Sequence, residues 1–268
     1  MKIEWMKKFI FATVPARYQL PLRFRYERWL RRLEPEMLLL EQLLGNKSLA
    51  VDIGANFGPY CYYLSRLGKR VEAFEPLPDI ARTLGAYRSP LIRVHNVALS
   101  SAPGDLQLYT PIFDGVPYPA CSTFTPIAGP HETCSVPVRT LDSYAFADVC
   151  LVKIDVEGHE LEVLKGARET LRREQPLLLV EIEQRHLRFP MTEVFAFLQN
   201  LGYAGWFLSA GRLRPLEEFA YESHQQPYLT DVNRPAYVNN FYFIPMDQQV
   251  STPPLAGKCP VRFERLSG

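Results

Sequence analysis

The sequence predicts an α/β fold with a doubly wound, mostly parallel sheet. Three observations carry that prediction. Short β-type runs alternate with helical patterns through the middle of the chain, several of those runs are apolar on both phases, and three of them end at an acid (Asp52, Glu75, Asp155). Strands separated by helices and buried on both faces pair in parallel under two helical layers. In order, 49–54 (LAVDIG) reads as the first strand and 59–68 as a helix closed by Gly68. Residues 70–75 read as the second strand, 78–87 as a helix and 91–99 as the third strand. Residues 149–155 and 176–183 follow as the fourth and fifth strands, with helices over 159–173 and 191–201. WFLSAGRLRPL has the pattern of a hairpin around Ala210-Gly211, and NNFYFIP that of a last strand.

Between the third and fourth strands the alternation stops. Residues 102–138 are rich in Pro and Gly, with β-like pieces such as LQLYT and SVPVRTL, and read as an insertion of short strands and loops. The expected organisation is a basic helical extension (1–48), the main domain (49–245) and a tail (246–268).

The formal charge of +1 predicts no bulk attraction to nucleic acid or membrane. It hides an asymmetry: residues 1–33 carry Lys2, Lys7, Lys8, Arg17, Arg23, Arg25, Arg28, Arg31 and Arg32 against Glu4 and Glu27, interleaved with aromatics such as Trp5, Phe9 and Trp29. Such a segment is either a helical cap packed on the main domain or a basic amphipathic element touching an anionic membrane surface. No run approaches the roughly 18 apolar residues of a membrane span, and no signal-peptide pattern is evident. Five scattered cysteines without a CxxC pair predict free thiols and a cytoplasmic setting, and disfavour a zinc set of Cys121, Cys134 and His131.

In open parallel sheets, ligands bind outside the carboxyl ends of the strands where the strand order reverses. There the first strand gives Asp52, Gly54, Ala55, Asn56 and Gly58, and the second gives Glu75 and Pro76. A carboxylate at Glu75 suits a ribose diol. The G-x-x-x-G spacing with an acid two residues before the first glycine repels a pyrophosphate but suits an ammonium and a sulfonium, as in S-adenosylmethionine. VDIGANFGPY, EAFEP, HNVALS, TLDSY, VKIDVEGHELEVLKGA and LVEIE, in that order, resemble the FkbM family of S-adenosylmethionine-dependent methyltransferases. The resemblance implies the class I, Rossmann-like methyltransferase fold and O-methylation of hydroxyls on sugars or related natural products. It also implies cofactor roles for Asp52, Gly54, Asn56 and Gly58, for Glu75 at the ribose, and for Asn96, Val97 and Ala98 near the adenine.

The fourth strand places Leu151, Lys153, Asp155 and Glu157 on one phase, so that phase turns acidic where the sheet opens. Asp155 is the first choice for contacting both the cofactor's methionine end and the acceptor. Glu157 and His159 are rival bases, Glu181 and His186 further lining, and Lys153 a partner that keeps a carboxylate ionised. Asp155, Glu157, Glu181 and Glu183 are the set from which a Mg²⁺ site would be drawn, although no ligand spacing demands one. A non-catalytic cofactor-binding module and a membrane-peripheral enzyme of lipid-linked glycans are the alternative functions.

Overall fold

The computed structural model describes residues 14–232 and 234–246; the tail beyond 246 and the first thirteen residues, with the readings made on them, lie outside. Two helices, α1 (Ala16–Trp29) and α2 (Pro35–Leu43), precede β1 (Leu49–Ile53), α3 (Pro59–Arg66), β2 (Arg70–Phe74), α4 (Pro78–Gly85) and β3 (Ile92–His95). Then come β4 (Ala98–Leu99), β5 (Gly104–Phe113), β6 (Val116–Pro117) and β7 (His131–Arg139). The chain returns through β8 (Val149–Ile154), α5 (Glu160–Lys165), α6 (Arg168–Glu174), β9 (Leu177–Glu181) and α7 (Thr192–Gln199). It closes with β10 (Tyr203–Ser209), β11 (Arg212–Pro215), α8 (Tyr221–His224) and β12 (Asn240–Pro245).

Eight strands form one sheet in the order β11-β10-β12-β9-β8-β1-β2-β3. The five from β9 to β3 are parallel, and β12 enters antiparallel between β9 and β10. The order departs from β1 in both directions, toward β2 and toward β8, which makes the doubly wound, Rossmann-like arrangement and sets its switch point there. The expected hairpin is present: Ala210 and Gly211 both take positive φ (49° and 73°), the type I′ geometry that matches strand twist.

Strand alternation divides the core. Val51, Ile53, Val152, Ile154 and Val180 face one layer with Leu161, Leu164 and Leu198. Ala50, Leu151 and Leu179 face the other with Leu20, Phe24, Met37, Leu40 and Leu64 from α1, α2 and α3. Asp52 and Lys153 share the phase of Ala50 and Leu151, so their polar groups are delivered into the layer built by the N-terminal helices.

Two expected elements are corrected. The third strand does not run through 91–99. The chain leaves the main sheet after His95, where Asn96 Nδ2 donates to the carbonyls of Glu75 (3.0 Å) and Pro76 (2.8 Å). Residues Ala98–Leu99 then join a second sheet, β4-β7-β5-β6, formed by the Pro/Gly-rich insertion. The helix expected over 159–173 is two helices, α5 and α6. Gly166 ends the first because the Ser100–Ser101 backbone lies against it; a Cβ there would sit 2.0 Å from Ser100 O. The second restarts on a cap, Asp142, whose carboxylate accepts from the N–H groups of Glu169 (3.1 Å) and Thr170 (2.7 Å). Gly166→Ala is therefore expected to cost about 1–3 kcal/mol, read as a fall in Tm, since backbone rather than a flexible side chain must move.

Candidate active site

The turn after β1 is fixed by its neighbours. The N–H groups of Gly54 and Ala55 both donate to Phe74 O at 3.0 Å, which ties the end of β1 to that of β2. Gly54 takes φ +78°, and a Cβ would lie 1.8 Å from Asp155 O, so only glycine permits this approach of β1 to the end of β8. Asn56 adopts a left-handed φ of 49°; its N–H donates to Glu75 Oε2 (2.8 Å) and its Oδ1 accepts from the Phe57 N–H (2.9 Å). Leu77 N–H donates to Glu75 Oε1 at 2.8 Å. Burial outweighs these two donors and raises the Glu75 carboxyl to about 7.

Above this turn, at the carboxyl ends of the central strands, opens a cleft. Gly54, Asn56, Glu75, Pro76, Val97, Ala98, Asp155 and Glu157 line it. Its apolar wall is Ile53, Phe74, Leu77, Leu99, Leu108 and Phe124. Pro119, Ala120 and Ser122 come from the insertion, which is held over the cleft where Thr123 Oγ1 donates to Glu157 O (2.7 Å).

Beneath the cleft lies a buried ionic layer. Lys153, 3% exposed, donates to Asp155 Oδ2 at 3.0 Å and approaches Asp52 Oδ1 at 4.0 Å. Its ammonium also lies 4.6 Å from the Tyr60 ring centroid. Burial alone would lower the Lys153 pKa, but Asp155, Asp52, Glu34 and Glu181 outweigh it and hold the ammonium above the usual lysine range. Asp52, 1% exposed, is pushed up by burial against the pull of Lys153; its Oδ2 accepts from Cys61 Sγ (3.0 Å), while Oδ1 has no hydrogen-bond partner. Tyr60 donates to Glu34 Oε2 (2.5 Å), and burial raises that carboxyl too.

Beside Asp155 is an acidic recess. Glu157 takes φ 51°, a left-handed backbone uncommon for a side-chain-bearing residue. Burial, then the charges of Asp155 and Glu183, raise its carboxyl to about 8. His186 Nε2 is 3.1 Å from Glu157 Oε2 but out of alignment for a hydrogen bond, and burial lowers the imidazole's pKa. Glu181, raised by burial and surrounding carboxylates, accepts from Asn239 Nδ2 (2.8 Å). Glu183 is held low despite its burial by Arg185 and by the Tyr237 hydroxyl that donates to it.

The structure thus brings Gly54, Asn56, Glu75, Pro76, Val97, Ala98, Asp155 and Glu157 together at one cleft. Asp52 lies beneath it, and Ala55 (3% exposed) is buried in the N-terminal layer. Gly58 starts α3 against Leu84, and Asn96 tethers the end of β2 from outside the cleft lining. His159 is outside the lining as well; its Nε2 lies 2.8 Å from Ser100 Oγ and its ring 4.8 Å from Phe124. Among the described residues no group of three or more His, Cys, Asp or Glu is placed to hold a metal ion. Cys61, Cys121, Cys134 and Cys150 are free thiols; Cys259 lies outside the described residues. Sequence reasoning missed Glu34, Tyr60, Ser122 and Phe124. Glu34 precedes Pro35 and reads as a helix-start residue, and nothing in a Pro-rich loop singles out which of its side chains turns inward.

Residues 52–204, more than half of the chain, match the family model described as methyltransferase FkbM domain. Among solved structures, one similar to this chain is methyltransferase FkbM from Methylobacillus flagellatus KT, at 20% identity and a TM-score of 0.46. That match covers 74% of this chain but 43% of the other protein. Precorrin-6y C5,15-methyltransferase from Geobacter metallireducens GS-15 aligns at 12% identity and a TM-score of 0.41, covering 78% of this chain and 84% of that one. Magnesium protoporphyrin IX methyltransferase from Synechocystis PCC 6803, solved with bound SAM, aligns at 10% identity and a TM-score of 0.41, covering 85% and 83%. No curated protein matches the sequence. With the FkbM model spanning the strands that build the cleft, from β1 into β10, the chain belongs to the FkbM methyltransferase family.

Proposed function

We propose that this protein transfers the methyl group of S-adenosylmethionine to a hydroxyl of a sugar, a glycan or a related natural product. The observation that carries the reading is the cleft at the switch point, where one carboxyl at the end of β2 faces a glycine turn, an apolar wall and an acidic recess. Glu75 would take the ribose hydroxyls, Val97 and Ala98 the adenine, and the backbone at Gly54 the part of the cofactor that approaches most closely. Asp155, bonded to Lys153, would face the cationic methionine end, with Asp52 buried below it. The cofactor supplies an electrophilic methyl group on a sulfonium. The chain has to orient an acceptor oxygen in line with it and take the hydroxyl proton. Glu157 is the proposed proton acceptor, because it lines the same cleft and its raised pKa makes it a stronger base than an ordinary carboxylate.

The sugar reading draws on the rim. Phe113 and Tyr118, 55% and 42% exposed with ring centroids 5.6 Å apart, stand on the insertion just before the lining residue Pro119. Aromatic faces there offer a platform for the C–H faces of a pyranose.

Isothermal titration is expected to show S-adenosylmethionine binding that weakens about tenfold or more in Glu75→Gln, which loses the charge accepting from the ribose and turns an amide NH2 toward the Asn56 or Leu77 N–H. NAD binding with no S-adenosylmethionine binding would overturn the assignment. Labelled methyl transferred into cell extract, followed by mass spectrometry of the product, identifies the acceptor. A label on nitrogen or carbon instead of oxygen would remove the O-methyl part.

A further inference from the structure

Helix α1 buries one stripe and shows another to solvent. Leu20 and Phe24 are buried, with the Phe24 ring 5.0 Å from Tyr62 and 6.2 Å from Tyr63 on α3. Leu20 also reaches Gly58, and the Arg23 guanidinium lies 4.0 Å over the Phe57 ring. The helix is therefore seated directly on the turn that begins at Gly54 and borders the cleft. This is the cap that the sequence offered as one of two readings.

The opposite stripe has no such explanation. At 3.6 residues per turn, Tyr18, Leu22, Arg25 and Trp29 fall along one line of the helix. Tyr18, Leu22 and Trp29 are 52%, 37% and 78% exposed. Arg17, Arg25 and Arg28 are exposed beside them, Arg32 is exposed just past the helix end, and Glu27 is the single acid between residues 14 and 33. Tyr18 and Trp29 leave more than half of their surface in water, so the fold uses little of their apolar area. Together with arginines on one helix face they match the headgroup layer of an anionic bilayer: rings enter the interface, and guanidinium groups meet lipid phosphates. A single-stranded nucleic acid would use the arginines and stack on Trp29, but leave the aliphatic Leu22 without a role.

We propose that the outward face of α1 is a docking surface for an anionic lipid bilayer, which holds the neighbouring cleft at the membrane surface. The inference stands independently of methyl transfer, because it rests on the exposed stripe and its charge. Lys2, Trp5, Lys7 and Lys8 upstream continue the same composition in sequence. A cleft held there has lipid-linked acceptors within reach.

The test is co-sedimentation of the full chain with vesicles of phosphatidylcholine, with and without phosphatidylglycerol, at physiological salt. Binding is expected only with the anionic lipid. R25A and R28A should each lower the partition coefficient about fivefold. W29A should weaken it several-fold while leaving the salt dependence in place. R93A, an exposed arginine on β3, should change nothing, and unchanged melting curves keep the comparison clean. Absence of binding to anionic vesicles overturns the proposal. So does full binding by the R25A/R28A/W29A variant, which would place the contact elsewhere in the chain, or displacement of the protein from vesicles by single-stranded RNA.

Discussion

Glu157→Gln is expected to lower kcat/KM by about 10²–10⁴-fold, the usual contribution of a positioned base, and to flatten its pH dependence. A carboxylate base works only when deprotonated. Because its free-enzyme pKa is raised to about 8, kcat/KM should climb with pH through that value and level off above it. The glutamine variant has no proton to lose there and should show a low plateau across the same range. S-adenosylmethionine affinity should stay within a few-fold, which separates lost chemistry from lost binding. A variant that keeps the wild-type pH profile would remove Glu157 as the base and return the role to Asp155.

Lys153→Met is expected to be the most damaging single change to stability. It leaves Asp52 and Asp155 facing Glu34 and Glu181 without their shared cation, and breaking a buried pair from one side typically costs about 3–5 kcal/mol. For a chain of this size that is a fall in Tm of roughly 6–20 °C. The pH dependence gives a second signature. In the wild type the folded-state pKa of Lys153 lies above the unfolded value, so its contribution is fully present below about 10.4 and lost only as pH rises past the folded value. It therefore does not vary between pH 5 and 8. In the variant, Asp52 loses the charge that opposes its burial, and its pKa rises further above the unfolded ~3.9. Stability of the variant should then fall as pH rises from about 4 toward that raised value, so mild acid relieves the defect. Melting curves that coincide with wild type from pH 5 to 8 would show that the carboxylates find other partners.

Most of the parallel sheet was legible because each strand had a period and an end. LAVDIG and VCLVKID carry apolar residues on both phases and stop at an acid, and β1 and β8 lie side by side in the centre. The two misplaced boundaries have one cause. Asn96 and Gly166 are decided by backbone groups remote in sequence, the carbonyls of Glu75 and Pro76 in one case and of Ser100 in the other, which no local pattern reports. The site divides along the same line. Gly54, Glu75 and Asp155 could be placed because they end adjacent strands. Glu34 could not, since its proximity to Tyr60 and Lys153 depends on how the first helices fold back over the sheet.

The position of β12 bears on where this protein can be cut. Residues 52–204 carry the family match, yet that span stops two residues into β10, and β10 is paired to β12 at residues 240–245. A fragment trimmed to the matched span would expose the edge of β9 and strip the helices that cover Asp52 and Lys153. The homologous segment is accordingly not a portable module. Domain fusions and chimeras built from this chain need the first helices and the last strand together, because each closes a different side of the same sheet.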